Sequence, residues 1–380
     1  MGQQLPALLV CWVLVAAVRG GSASAQSARD VDVEHFVPAF DRDGLLGIPS
    51  TRSPGTGQGN VALWADYSSD LIRVRVGSDG SGARRRPLDD RYAMSLWGYV
   101  GLSSRLAVAL RVPWIVHQHG QRVLRDEPAL PARALGDCWL YGLLQVAGPA
   151  TRGRDERQDG PGLGLLAGVA LPAGQPGRYA GEGSGRFELR ALADFHLLGA
   201  SLATHLGWLH RTRPKAVFAT RVRDRLGFGI GLKLPLLIAR GLAGLIELRG
   251  TTDAGKPFAA RAGTSLVLQS GLRASLGELT FTVAVARGLV AGVGSPAIRA
   301  TLGVSWAPRS HDQDEDGLDD DVDACPPLPE DLDGFQDDDG CPDPDNDNDL
   351  VPDVDDLCPN EEAEEGRDQD EDGCTDPPST

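Results

Sequence analysis

The most constraining feature of this sequence is a row of carboxylates that returns every 33 residues near its C-terminus. Asp312, Asp314, Asp316, Asp320 and Asp323 are followed by Cys325-Pro326, and Asp345, Asp347, Asp349, Asp353 and Asp356 by Cys358-Pro359. These aspartates fall on positions 1, 3, 5, 9 and 12 of an oxygen-ligand calcium loop, with Gly317 at the sharp-turn position 6. In the second copy Leu350 stands where that glycine would be. Shorter units, Asp337-Asp338-Asp339-Gly340-Cys341 and Asp370-Glu371-Asp372-Gly373-Cys374, keep the same period, so the repeat is genuine.

A helix-loop-helix calcium hand needs a bidentate Glu at position 12 and an amphipathic helix after it. Here Asp stands at position 12 and Cys-Pro follows, which stops a helix. Residues 311–380 hold 30 Asp and Glu against one basic residue, Arg367, whereas residues 1–310 carry 36 basic and 23 acidic side chains. The net charge of −16 therefore belongs to the tail alone. With so few apolar residues this tail cannot bury a core, so Ca2+ and cystine are expected to supply its order and chelation to unfold it.

Alternating long and short Asp-rich units, each closed by a Cys, resemble thrombospondin type 3 repeats, which wrap around calcium ions and are tied by disulfides. Carried over by position, the resemblance implies Asp312, Asp314, Asp316, Asp320, Asp323, Asp345, Asp347, Asp349, Asp353 and Asp356 as metal ligands. Asp337, Asp339, Asp370 and Asp372 would contribute from the shorter units. A dockerin-type module would need an apolar helix after each loop, which Cys-Pro opposes.

At the other end, Leu5 to Val18 is an apolar run broken only by Pro6 and followed by Arg19 and the small residues Ala23-Ser24-Ala25. It reads as a secretory signal, residues 1–25, although Met1-Gly2-Gln3-Gln4 lacks a basic start. The run is too short for a spanning helix, and no other apolar stretch reaches about 20 residues. Cleavage removes Cys11 and leaves Cys138, Cys325, Cys341, Cys358 and Cys374 in a disulfide-permissive compartment. A spacing of 16 occurs twice, favouring Cys325 with Cys341 and Cys358 with Cys374; Cys341 with Cys358 is the alternative. Cys138 is left over as a small apolar residue in a strand.

Residues 26–58 are rich in Gly, Pro and Ser, carry the apolar pieces His35-Phe36-Val37 and Leu45-Leu46-Gly47-Ile48, and show no usable periodicity. A plug, a linker and an edge strand all fit them. From residue 59 to 308 the pattern becomes alternation. Leu106, Val108, Leu110, Val112 and Trp114 oppose Arg105, Ala107, Ala109, Arg111 and Pro113; Phe187, Leu189, Ala191, Ala193, Phe195 and Leu197 oppose Arg186, Glu188, Arg190, Leu192, Asp194 and His196. The same holds for Leu226 to Leu236, Leu279 to Val285 and Ile298 to Trp306, at lengths that suit strands crossing a bilayer.

Twelve strands are read, near 60–76, 91–101, 105–115, 135–147, 162–172, 186–197, 200–211, 225–236, 240–251, 263–274, 278–288 and 297–307. Tight links at Leu102 to Ser104, Leu198-Gly199, Leu237 to Ala239 and Ser275 to Gly277 alternate with polar links of a dozen or so residues. Short periplasmic turns and longer outer loops are the habit of a bacterial outer-membrane barrel; Gly148 to Pro161 is a long link where a short one is expected. On the inner faces Arg105, Arg111, Arg186, Arg190, Arg211, Lys233, Arg249, Arg273 and Arg299 outnumber Glu188, Asp194, Glu247 and Glu278. An open lumen would favour anions; in a closed one, Arg and carboxylate pairs would fill the space.

The fold class expected is thus all-β: a transmembrane antiparallel β-barrel of about 12 strands, then an irregular calcium- and disulfide-stabilised repeat tail over 309–380. The whole chain resembles OmpA-like outer-membrane proteins that carry thrombospondin type 3 stalks. That resemblance implies the outer membrane of a Gram-negative bacterium, outer-membrane lipid as surroundings, a periplasmic tail, and peptidoglycan-associated or surface partners. No peptidoglycan-binding domain follows within these residues, so cell-wall anchoring is not carried over. The expected function is a porin-like or structural barrel with a calcium-binding stalk; the alternative is a calcium-dependent adhesion protein whose tail is displayed outside. No enzyme is expected, because the seven histidines are scattered and no Ser or Cys stands in a nucleophile motif. Gly162-Leu163-Gly164 has no following helix to make a phosphate loop, and His117-Gln118-His119 lacks a third ligand in sequence. Arg84-Arg85-Arg86 suits an outer-loop contact with anionic lipopolysaccharide or polysaccharide and is too short to argue nucleic acid.

Overall fold

The computed structural model describes residues 29–75, 82–123, 127–149, 159–218 and 220–308, and in the tail 314, 316, 318, 323–337, 339–363, 367 and 372–375. The expected signal at 1–25 lies outside the described residues. Two compact units divide at Pro308 and Arg309.

In the first unit the strands are β1 (Gly59–Arg75), β2 (Arg84–Gly101), β3 (Leu106–His119), β4 (Ala134–Leu135), β5 (Cys138–Ala147), β6 (Gly160–Leu171), β7 (Arg186–Leu197) and β8 (Ala200–Arg211). Then come β9 (Lys215–Val217), β10 (Thr220–Val222), β11 (Arg225–Pro235), β12 (Leu242–Asp253), β13 (Ser265–Leu276), β14 (Leu279–Val290) and β15 (Arg299–Trp306). Apart from the short β4, β9 and β10, each strand pairs antiparallel with its neighbours, and β15 returns to β1 from Val61 opposite Trp306 to Ser68 opposite Arg299. The twelve long strands therefore close a barrel, which leaves no unpaired edge.

Alternation sorts the side chains as the sequence implies. Leu189, Ile230, Val285 and Leu302 on the outer face are more than half exposed, whereas Arg186, Arg190, Thr282 and Arg299, which face inward, are buried. On the outer face the rings of Tyr67 and Tyr92 meet at a tilt with centroids 5.0 Å apart, those of Trp208 and His210 are 5.4 Å apart, and Trp306 donates through Nε1 to Glu278 at 2.8 Å. Amphipathic rings toward the strand ends are what a lipid-water boundary favours.

Tight links join β2 to β3, β7 to β8, β11 to β12 and β13 to β14, all at one end. Leu198 (φ 50°) and Gly199 (φ 80°) make the two-residue turn between β7 and β8, with the doubly positive φ that matches hairpin twist. The link between β5 and β6 is also at this end, and its residues 150–158 lie outside the described ones. At the opposite end two expected loops are partly strand. β2 begins at Arg84 because Leu88 and Arg85 continue the ladder to Ile72 and Val74, and β9 pairs antiparallel with β10, with Val217 and Val222 buried.

Among the described residues no strand precedes Gly59, and residues 29–53 lie inside the barrel, here termed the plug. From 29 to 53 the chain runs through the lumen from the long-loop end to the tight-turn end. Arg29 pairs with Glu127 at 2.8 Å and its carbonyl accepts from the Tyr179 backbone N–H. Farther along, the Arg52 carbonyl accepts from Tyr99 Oη at 3.0 Å, and Ser53 Oγ donates to the Ser103 carbonyl at 2.6 Å in a tight turn. Val31, Val33, Phe36, Phe40, Leu45, Leu46 and Ile48 are all buried. The wall makes room with small residues: Ala62, Ala107, Ala109 and Ala203 lie against the plug clusters, and a Cβ on Gly162 would sit 2.1 Å from Thr51 Oγ1.

Candidate functional site

Two constellations carry chemistry: the interface between plug and wall, and the acidic repeat. The first is built by wall charges that seize the plug's backbone. Glu247 Oε2, on β12, accepts the N–H groups of Leu46 and Gly47, each at 3.0 Å, while Oε1 accepts from Gln269 at 2.7 Å. Asp194, on β7, accepts from Thr51 N–H at 2.8 Å, Thr51 Oγ1 at 2.9 Å and Ser50 Oγ at 3.2 Å. Arg273, on β13, donates to the carbonyls of Arg42 and Leu45 at 2.9 Å and to that of Gly44. A buried irregular segment must satisfy its backbone somewhere, and these side chains do it.

Side-chain pairs fasten the upper plug. Arg186 reaches Asp32 at 3.2 Å, Asp137 at 2.8 Å and Glu182 at 3.4 Å, and Arg299 bonds Glu34. Arg211 donates to both oxygens of Glu182 at 3.1 Å. Asp137 also accepts from Gly174 and Glu182 N–H at 2.8 and 3.1 Å, which folds the loop between β6 and β7 into the mouth. Below this belt Phe40 packs among Trp97, Tyr99 and Tyr141 at centroid distances of 5.7, 4.8 and 6.4 Å.

Of the inward charges expected from sequence, Arg111, Arg186, Arg190, Arg211, Asp194, Glu247, Arg273 and Arg299 are buried in the lumen. Arg105 and Glu278 instead lie at exposed turns, and Lys233 donates to the Asp43 carbonyl at an exposed position. Sequence reasoning missed Asp32, Glu34, Asp137, Glu182, His205 and Arg225. One signal was available: inner faces made of Ala107, Ala109, Gly227, Gly229 and Gly231 are too small to fill a closed barrel by themselves, so something else had to.

In the tail the repeat seen in the residues is a repeat in space. Asp316 Oδ1 accepts from Leu318 N–H and Asp349 Oδ1 from Val351 N–H. Asp323 Oδ1 accepts from Cys325 N–H at 2.7 Å and Asp356 Oδ1 from Cys358 N–H at 2.6 Å. The disulfides are Cys325–Cys341 and Cys358–Cys374. Gly340 (φ +77°) and Gly373 (φ +78°) let the short units close on Asp323 and Asp356, whose oxygens a Cβ would meet at 2.4 and 2.0 Å.

Carboxylates of Asp314, Asp316 and Asp323 gather within 4.8 Å, as do those of Asp345, Asp347 and Asp349. Buried oxygens without a hydrogen-bond partner occur on Asp314, Asp323, Asp345, Asp347, Asp353 and Asp356. Partial burial beside Asp349, Asp356 and Asp345 holds the Asp347 carboxyl above the usual range. Crowded, partnerless anions of this kind fit a hard divalent cation with oxygen ligands. Asp337 and Asp339 accept from the backbone N–H groups of Gly334 and Cys341, and Asp372 from that of Cys374, as Asp323 and Asp356 do at Cys325 and Cys358. Asp312, Asp320 and Asp370 lie outside the described residues.

Leu350 keeps the left-handed backbone, φ 80°, of the turn residue it replaces, and its side chain is exposed. An L-residue there costs about 1–2 kcal/mol. Leu350→Gly is expected to tighten cation binding by the second loop about fivefold, as read from a calcium titration of the tail's ellipticity. Weaker binding than in the parent would overturn this account of Leu350.

Near the long-loop end Asp89, Asp90 and His119 also lie close enough to share an ion. Asp90 already accepts from Tyr67 Oη at 2.6 Å, and Asp89 pairs with Arg86 at 3.4 Å. His119 therefore stands beside carboxylates contributed by the neighbouring strand, which the His117-Gln118-His119 spacing alone did not reveal. Of the basic triplet, Arg86 is spent on Asp70 and Asp89.

No protein-family model and no curated protein matches this chain. Among solved structures it is similar to an outer membrane channel from Pseudomonas putida F1, with a TM-score of 0.50 and 14% identity over 68% of this chain and 98% of that one. The fold is that of an outer-membrane β-barrel. The NanC and KdgM porins follow, each with a TM-score of 0.40 and 7% identity, over 65% and 66% of this chain and 98% and 99% of theirs.

Proposed function

We propose that this protein is a non-catalytic, porin-like channel of the outer membrane, closed at rest by its own residues 29–53, with a calcium-holding stalk on the periplasmic side. The observation that carries the channel reading is the plug itself. An ordinary closed barrel fills its interior with wall side chains, whereas here Ala62, Ala107, Ala109, Ala203 and Gly162 leave room in the wall for a separate, hydrogen-bonded segment. Such a segment can leave without unpairing a strand.

For the stalk, the support is two converging carboxylate sets and two disulfides within a segment whose sequence repeats every 33 residues. This agrees with the resemblance to thrombospondin type 3 repeats and to OmpA-like proteins that carry them. Calcium bound there would neutralise crowded carboxylates and cross-link the loops. The residues that would hold it are Asp314, Asp316 and Asp323 in one loop and Asp345, Asp347, Asp349, Asp353 and Asp356 in the next.

The chain leaves β15 beside the tight-turn end, where Trp306 meets Glu278, and tight turns are periplasmic in outer-membrane barrels. Peptidoglycan-associated partners are therefore favoured over surface ones. Protease added to intact cells should leave the tail whole until the outer membrane is permeabilised. Immediate cleavage would remove the periplasmic stalk and favour a surface adhesion role.

A further inference from the structure

A cavity of about 100 Å³ lies between plug and wall, and its lining is dominated by cations. A single water needs roughly 10–15 Å³, so the space suits a polyatomic ion. The arginines around it are not equivalent. Arg186, Arg211 and Arg299 are taken up by Asp32, Asp137, Glu182, Glu34 and Asp66. Arg190 uses Nε on Glu188 at 2.8 Å and Arg249 uses Nε on Glu247 at 3.5 Å, and no ion pair among the described residues engages the outer nitrogens of either. Arg225 has no carboxylate within ion-pair distance among the described residues; its guanidinium donates to His35 Nε2.

Two imidazoles complete the lining. His205 is 6% exposed, and neither of its ring nitrogens has a partner; the same is true of His35 Nδ1. The charged neighbours acting on His205 are Arg190 and Arg249, and those on His35 are Arg225, Arg211, Arg299 and Arg249. Bare backbone at Gly227 keeps the space open, since a Cβ there would meet nothing within 4 Å.

We infer that this cavity is a binding site for a small oxyanion of the phosphate or carboxylate class, held by the free edges of Arg190, Arg225 and Arg249 and by N–H groups of His205 and His35. Guanidinium edges match two oxygens at once, and the plug's own Asp32 and Glu34 already demonstrate that this lumen accepts carboxylates. A neutral ligand would leave the cations uncompensated, and a metal ion would be repelled. The site rests on the plugged-barrel reading, because residues 32–37 form one of its walls.

The test is isothermal titration of the full-length protein in detergent and calcium-free buffer with inorganic phosphate and with acetate, using chloride at matched ionic strength as the blank. Saturable one-site binding of either oxyanion is expected, and which of the two binds tighter assigns the ligand. Gly227→Asp places a carboxylate in the open space and should weaken binding at least tenfold. Arg105→Gln, at an exposed turn, should leave it unchanged. Should Gly227→Asp fail to fold, Arg225→Gln takes its place with the same expectation. Absence of saturable binding by the parent, or equal binding by the cavity variant, would overturn the inference. A parent that fails to bind yet passes no current in a planar bilayer refutes the anion site alone, whereas one that conducts freely refutes the plug.

Discussion

Excising residues 29–53 is expected to turn a barrel that passes almost no current into one that conducts steadily. The segment fills the lumen from Arg29 beside Glu127 to Ser53 beside Ser103, and none of its residues lies in a barrel strand, so the wall survives its removal. What remains inside are Arg91, Arg111, Arg186, Arg190, Arg211, Arg225, Arg249, Arg273 and Arg299 against Asp66, Asp137, Glu182, Glu188, Asp194 and Glu247. The balance is positive, and a reversal potential measured across a salt gradient should show preference for anions. A milder lesion should give intermittent opening. Asp194→Ala removes three acceptor contacts to Ser50 and Thr51, each worth about 1.5–3 kcal/mol when the acceptor is charged. Loss of even two would shift the closed-open balance by a factor of a hundred or more. Planar-bilayer recording of the excised form decides the matter: silence would mean that the wall collapses inward or that the loop between β6 and β7 seals the mouth unaided.

The second large effect is on the tail. Withdrawing calcium from the full-length protein should dissolve the order of residues 309–380 and leave the barrel's strand signal intact. Residues 311–380 hold 30 carboxylate side chains and one basic residue, and buried oxygens of Asp314, Asp323, Asp345, Asp347, Asp353 and Asp356 have no hydrogen-bond partner. Two disulfides span only 16 residues each, so they pin the loops locally and cannot oppose charge repulsion along the whole stretch. Limited proteolysis with and without chelator, followed by mass analysis, reads the change directly. Asp356→Ala should weaken calcium binding at least tenfold and make the tail cleavable at calcium concentrations that protect the parent. Equal cleavage of the parent in both conditions would dispose of the cation as the source of order.

How much of this was legible in the residues follows from the range of the forces involved. Alternation of apolar and polar side chains is a local consequence of the pleat, and it placed β7 and β8 at their observed limits and the remaining long strands close to theirs. At Arg84 to Asp90 the alternation gave no warning, because those residues are mostly charged and pair only because β1 stands opposite. The tail repeat was equally local. Its turn residue, its closing glycines and its cystines act within a few residues of one another, and both disulfides formed at the recurrent spacing.

The plug was a different case. Residues 29–53 have no helix or strand period because their backbone bonds go to side chains scattered over the wall: Asp194, Glu247 and Arg273 lie roughly 140 to 230 positions away along the chain. Likewise the union of His35, His205 and Arg225 around one cavity exists only once the barrel has closed and the segment has been threaded through it. The sequence by itself determined the two-part organisation, the strand faces and the carboxylate rhythm, since each is written in neighbours. Only the tertiary structure decided that the barrel is filled, by what, and which cations are left over, because closure of a sheet brings together residues whose meeting no local pattern encodes.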